Sequence, residues 1–162
     1  MSNSRNSLFE QAAQELGFDL SEEIRIGGNY TPAIVHGGTA YVSGQVPRIG
    51  TVVAVTGRVG ADVSLAQAQH AARICAVRAL AILRTVLGSL DAITQALRMT
   101  VYVQSAMDFT QQSEVADAAS TLLHDVLGAA GRHTRTSVGV VQLPKNAAVE
   151  VDLVVAADQP VR

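Results

Sequence analysis

Cysteine occurs once among the 162 residues, at Cys75, and tryptophan not at all. A single thiol excludes an intramolecular disulfide and a thiolate metal cluster. His36, His70, His124 and His133 fall at no metal-ligand spacing, so no metal is expected. Charged residues make up only 16% of the chain and the net charge is −2. Phosphate backbones demand clustered Lys and Arg, so nucleic acid is not an expected partner. Apolar runs are broken by Arg, Gln or Gly well short of the roughly 18 residues of a membrane span, and no membrane association is expected. Ser2, Asn3, Ser4, Arg5 and Asn6 open the chain without the apolar segment of a secretory signal, which makes the expected location cytoplasmic. There is no phosphate loop of the G-x-x-x-x-G-K type, no G-x-G-x-x-G after a strand and no nucleophile elbow; no cofactor is expected.

What is abundant is apolar. Hydrophobic residues reach 48%, more than a sparsely charged monomer of this size exposes comfortably, so the expectation is a homo-oligomer. The length fits one domain, residues 1–162, able to bury roughly 70% of its unfolded surface.

Leu8, Ala12 and Leu16 recur at helical spacing over residues 4–16, with Gly17 beyond, which predicts a short docking helix. Residues 33–36, a Gly37-Gly38 turn and residues 39–45 predict a hairpin, with Tyr41, Ser43 and Gln45 on one face of the second strand. Residues 48–60 read as a loop with one short strand. Ser64 and Gln67 form a capping box for a helix over 65–87, stopped by Gly88. Its apolar stripe takes in Leu65, Ala68, Ala72, Cys75, Ala79, Leu83 and Val86, with Arg78 and Arg84 on the polar side.

Alternation over 97–104 places Leu97, Met99, Val101 and Val103 on one face and Arg98, Thr100, Tyr102 and Gln104 on the other. Asp108 or Thr110 is the expected cap of a second helix to about 127, with Val115, Ala119, Leu122 and Val126 inward. Strands over 135–141 and 147–157 close the chain. Two amphipathic helices cover one face of a sheet and leave the other for a subunit interface.

Arg135 opens the β-branched run of residues 135–141. A guanidinium there needs a carboxylate, from the protein or from a ligand, and its planar fork suits a ligand carboxylate. Glu150 and Asp152 are the internal rivals for it. Tyr30 stands in Gly28-Asn29-Tyr30-Thr31-Pro32 and Ser43 in Ser43-Gly44-Gln45-Val46-Pro47. These segments, with Arg135-Thr136-Ser137-Val138-Gly139-Val140 running on to Leu143-Pro144, resemble the reactive-intermediate deaminase family (Rid, formerly YjgF, also called endoribonuclease L-PSP), over about residues 27–157.

The resemblance implies an α+β, chorismate-mutase-like fold: a mixed sheet with two main helices on one face, residues 27–157 as core and 1–26 as an N-terminal helical extension. It also implies a homotrimer with clefts between subunits. Arg135 then grips the carboxylate of an imine or enamine, Tyr30 lines the cleft wall, and Ser43, Ser113, Ser137 and Gly139 complete the substrate contacts. Water adds to the C=N carbon and ammonia leaves, giving a 2-oxo acid: the work of an imine deaminase, a hydrolase. Gly139 stands where family members usually carry a glutamate, and Ser113 where they often carry asparagine. The cleft is thereby widened and a water-orienting carboxylate is missing. The alternative is a non-catalytic trimer that binds a small carboxylate metabolite. An endoribonuclease reading has neither a basic cluster nor a convincing histidine pair behind it.

Overall fold

The capping box is formed in the computed structural model, which describes residues 4–158. Gln67 N–H donates to Ser64 Oγ at 3.1 Å, and Ser64 N–H to Gln67 Oε1 at 2.8 Å. Two of the orphan donors at the start of helix α2 (Leu65–Leu87) are satisfied this way. Gly88 ends it at φ 81°, a conformation that glycine adopts without penalty. Ser2, Asn3 and residues 159–162, which fall within the expected domain, lie outside the described residues.

Helix α1 (Arg5–Glu15) precedes strands β1 (Ala33–His36) and β2 (Thr39–Gln45), and then the two-residue strands β3 (Arg48–Ile49) and β4 (Val52–Val53). After α2 come β5 (Ile93–Gln104), helix α3 (Gln112–Leu127), β6 (Thr134–Val140) and β7 (Val149–Ala157). The main sheet has the order β1-β2-β7-β5-β6; β5 and β6 run parallel and the other pairs antiparallel. The fold is α+β with a mixed sheet, as expected. Gly37 and Gly38, both at positive φ, make the β1–β2 turn that matches strand twist.

Several details differ from the sequence expectation. The α1 stripe is rotated: Phe9, Ala13 and Leu16 are buried, while Leu8 and Ala12 flank them. α1 packs against α3 and α2, its Phe9 ring fully buried, and the Arg84 guanidinium stacks 4.9 Å from the ring centroid. A bulge between Val42 and Gln45 turns Gln45 into the core, against the predicted face. Irregular register near Ala96 leaves Leu97 exposed, and Gln104 is buried, where its amide bonds Gly57 O and Asn146 Oδ1. Neither Asp108 nor Thr110 caps α3; Gln111 stands at its start without a side-chain bond. In place of one short strand, residues 48–53 form the small β3–β4 hairpin.

Helix α2 is buried almost all round between Ile74 and Leu83, because β7 and β2 lie under it and α1 and α3 beside it. Arg78, expected on the polar side, is buried, while Val86 is exposed. Cys75 is fully buried, its thiol pointing at Val149 O, and burial pushes its pKa well up, which makes it a small hydrophobe. Truncating Phe9 to Ala is expected to cost about 3–5 kcal/mol, the price of a fully buried ring in a sealed site. A shift of the urea midpoint with unchanged slope checks it; a cost below about 1 kcal/mol would mean that α1 merely decorates the core.

Candidate functional site

Parallel pairing sets Arg135 opposite Met99, Ser137 opposite Val101 and Gly139 opposite Val103. These three therefore face the helix side of the sheet, towards α3. There Arg135 Nη1 donates to Asp117 Oδ1 at 2.8 Å and to Ser120 Oγ at 3.0 Å, and Nη2 to Ser113 O at 3.3 Å. Ser113 and Ser137 bring their hydroxyl oxygens to 3.4 Å. Arg135, Ser113 and Ser137, scattered over two sequence segments, thus form one cluster at the sheet edge.

The internal partner of Arg135 is neither of the rivals expected. Glu150 and Asp152 alternate with the buried Val149, Val151 and Leu153 and point to the opposite face of the sheet. Asp117 takes the role through one oxygen and is itself 64% exposed, so the pair is worth about 0–1 kcal/mol. Arg98 on the neighbouring strand bonds Thr136 Oγ1.

Ser120 Oγ also lies 2.9 Å from His133 Nε2, and His133 Nδ1 lies 2.6 Å from Gly131 O. A carbonyl only accepts, so Nδ1 carries the proton and Nε2 accepts from Ser120. Burial lowers the His133 pKa, which favours the neutral ring. His124 lies 5.7 Å from it between ring centroids. A histidine pair that spacing did not announce therefore exists, but both nitrogens of His133 are engaged, Nδ1 by Gly131 O and Nε2 by the Ser120 hydroxyl that also meets Arg135.

Gly139 lines a cavity of about 450 Å³ with Arg58, Ser105, Phe109 and Gln112. A Cβ on Gly139 would meet Gln112 Nε2 at 3.0 Å and Ser105 Oγ at 3.2 Å. On that side the Gln112 amide donates to Phe109 O and Ser105 Oγ.

Tyr30 and Ser43 lie elsewhere. Tyr30 precedes the edge strand β1, and Ser43 sits in the β2 bulge, its Oγ accepting from Gln45 Nε2 at 3.3 Å. Since β6 is the opposite edge of the sheet, the expected site residues divide into two groups separated by its full width.

Tyr30 lines a cavity of about 180 Å³ together with Gly44, Arg48, Arg78 and Glu150. Glu150, in the sequence a rival for Arg135, is the carboxylate of this cavity. Among the described residues it makes no side-chain hydrogen bond, whereas Asp152 accepts from the Tyr102 hydroxyl at 3.3 Å. Burial raises the Glu150 pKa, and the neighbouring Asp152 adds to the rise. Gly44 makes room for it: a Cβ at this position would stand 2.0 Å from Glu150 Oε1. The available signal was an acid in the middle of a strand on the helix-free face.

Comparison with known proteins places these features. Protein TCP17 of Trypanosoma cruzi is 40% identical over 143 residues, 88% of this chain and 89% of that protein. The crystal structure of Atu1372 from Agrobacterium tumefaciens, a protein of unknown function, superposes with a TM-score of 0.85 at 41% identity, covering 95% of each chain. Escherichia coli TdcF with bound serine shares the fold, at 19% identity and a TM-score of 0.56, over 86% of this chain and 96% of that one. Residues 10–156, from within α1 almost to the end of β7, match the family model described as YjgF/chorismate mutase-like, putative endoribonuclease. With sheet order, helix placement and sequence in agreement, this chain belongs to the YjgF/chorismate-mutase-like family.

Proposed function

We propose that the protein hydrolyses a carboxylate-bearing imine or enamine to a 2-oxo acid and ammonia, in a cleft shared by two copies of the chain. The observation that carries this reading is Glu150: a half-buried carboxylate, free of internal partners among the described residues, with its pKa raised, beside Tyr30 in a cavity. Such a group is tuned for proton transfer. Arg135 supplies the anchor. Its Nε–H and second Nη2 hydrogen make no bond among the described residues, and they suit a ligand carboxylate.

In the reaction, Glu150 takes a proton from water as the oxygen adds to the C=N carbon, and passes it to nitrogen. The carbinolamine then gives its hydroxyl proton to the Glu150 carboxylate, which delivers it to nitrogen as the C–N bond breaks, the carbonyl forms and ammonia departs. Every atom and charge is accounted for by imine, water and one carboxylate. An iminium carbon is already electrophilic, so placing the water and the carboxylate is most of the task.

The split of the site supports a shared cleft. Arg135 at one sheet edge and Tyr30 before the other act together only when the β6 edge of one copy meets the cavity of the next. This is a heterologous contact that closes as a ring, for which the family resemblance implies three copies. The helix-free face carries exposed Ile34, Tyr41 and Val138, which such an assembly would cover. The bound serine of TdcF supports a small-molecule site in this fold. A cytoplasmic location remains part of the proposal, and among the described residues no helix is long and apolar enough to cross a membrane.

Subunit complementation tests it. Arg135→Ala and Glu150→Gln, each inactive alone, are unfolded together in equal amounts and refolded. Sites drawn from two copies recover about a quarter of native ammonia release, because half the copies supply each intact partner. No recovery from a mixture that assembles normally would place the site within one copy. The rival reading, a trimer that only binds a small carboxylate, is favoured by the Asp117 pairing of Arg135. Arg135-dependent calorimetric binding of propanoate without ammonia release from any imine would establish it.

A further inference from the structure

Helix α2 buries one guanidinium, Arg78, which is 5% exposed. Its Nε donates to Gln45 Oε1 at 3.2 Å, Nη1 to Arg48 O at 3.2 Å and Nη2 to Arg25 O at 3.4 Å. All three acceptors are neutral. They satisfy hydrogens but not charge, and no carboxylate pairs with Arg78 among the described residues. A buried charge without a counter-charge is costly. Burial lowers the Arg78 pKa, and the charge of Arg48 lowers it further.

Arg48 is in the same condition. Its Nε is buried without a hydrogen-bond partner, and its guanidinium makes no ion pair among the described residues. Both arginines line the cavity of about 180 Å³ that holds Tyr30 and Glu150, and Arg25 and Lys145 stand at its wall. Four cations thus surround one carboxylate in a chain of net charge −2. Asp152, which faces Glu150 along β7, is engaged by Tyr102.

We propose that Arg48 and Arg78 receive a second carboxylate of the substrate, so that the imine handled here is that of a dicarboxylic amino acid. The proposal rests on the deaminase reading, in which Arg135 of a neighbouring copy holds the first carboxylate and Glu150 serves the carbon between them. Two guanidinium groups with unused N–H donors match a planar carboxylate. A dianionic phosphate suits the cavity less, because Glu150 shares it. The volume, roughly that of six liquid waters, admits a short side chain and excludes a nucleotide.

Calorimetry on the native protein compares glutarate with pentanoate, the same carbon chain lacking one carboxylate, and with inorganic phosphate. Glutarate should bind at least about tenfold tighter than either, the gain of one charge-assisted contact. Arg48→Gln, a half-exposed position that leaves the core packing alone, should bring the glutarate-to-pentanoate ratio to within about threefold of one. Arg78→Met should do the same, with circular dichroism confirming that it folds. Equal affinities in the native protein, a ratio unchanged by Arg48→Gln, or phosphate binding tighter than glutarate would each overturn the proposal. Ammonia release from 2-iminopropanoate and 2-iminoglutarate separates the two readings. Release from neither imine, with the Arg48-dependent preference intact, removes the deaminase reading and keeps the dicarboxylate pocket. Release from 2-iminopropanoate without any preference removes the pocket alone.

Discussion

Replacing Arg135 with Ala is expected to lower kcat/KM on freshly generated imino acids by at least about 10²-fold, the loss of a charge-assisted, two-pronged contact worth about 3 kcal/mol. The fold should barely notice. The pair with Asp117 is single-pronged and its acid is 64% exposed, so its removal costs less than about 1 kcal/mol. Coupled ammonia assays and thermal melts on the same preparations separate the two effects. Lys in place of Arg keeps the charge but not the fork, and should recover only part of the loss. An Arg135→Ala protein with native kcat/KM would remove the anchor. A collapse of the melt matching the loss of activity would assign Arg135 a structural duty beside Ser120 and His133.

Glu150→Gln is expected to cut kcat by about 10²–10⁴-fold, the range for loss of a proton-transferring side chain. Burial and Asp152 hold the native pKa above the ordinary glutamate value. The native kcat/KM profile should therefore fall on the acid side at a pH above the usual carboxylate range of about 4.3, and Glu150→Gln should lack that limb. Stability moves the other way. A carboxyl whose folded pKa is raised binds more protons in the native state, so its contribution is fully present below the unfolded pKa and is lost as pH rises through the folded one. Glu150→Gln should consequently melt no lower than native near neutrality, and the difference should close in acid. Gly44→Ala, whose Cβ would stand 2.0 Å from Glu150 Oε1, should mimic the loss of activity while displacing only the flexible end of that side chain. Unchanged kcat in both variants would take Glu150 out of the reaction.

Local order was legible wherever it depends on neighbours in sequence. The Ser64 and Gln67 capping box, the Gly37-Gly38 turn, the inward Val115, Ala119, Leu122 and Val126, and the alternation of the last strand all follow from short-range geometry, and the structure contains each of them. Family-specific segments around Tyr30, Ser43 and Arg135 carried the resemblance, and with it the sheet and helix arrangement. Periodicity also put Arg135, Ser137 and Gly139 on one strand face.

Only the tertiary structure decided what covers each face. Asp117 reaches Arg135 from α3, eighteen residues away, because β6 turns that face towards the helix. Gln45 enters the core because a bulge breaks the strand's period of two, and Arg78 is buried because Gln45 and the backbone at Arg48 and Arg25 close over a helix face that looks polar in projection. Glu150 meets Gly44 across two antiparallel strands whose pairing joins residues more than a hundred positions apart. A sequence determines by its period which side chains share a face. Whether that face meets a helix, a cavity or another copy is a matter of long-range packing, and the chemistry of this protein lies at such meetings.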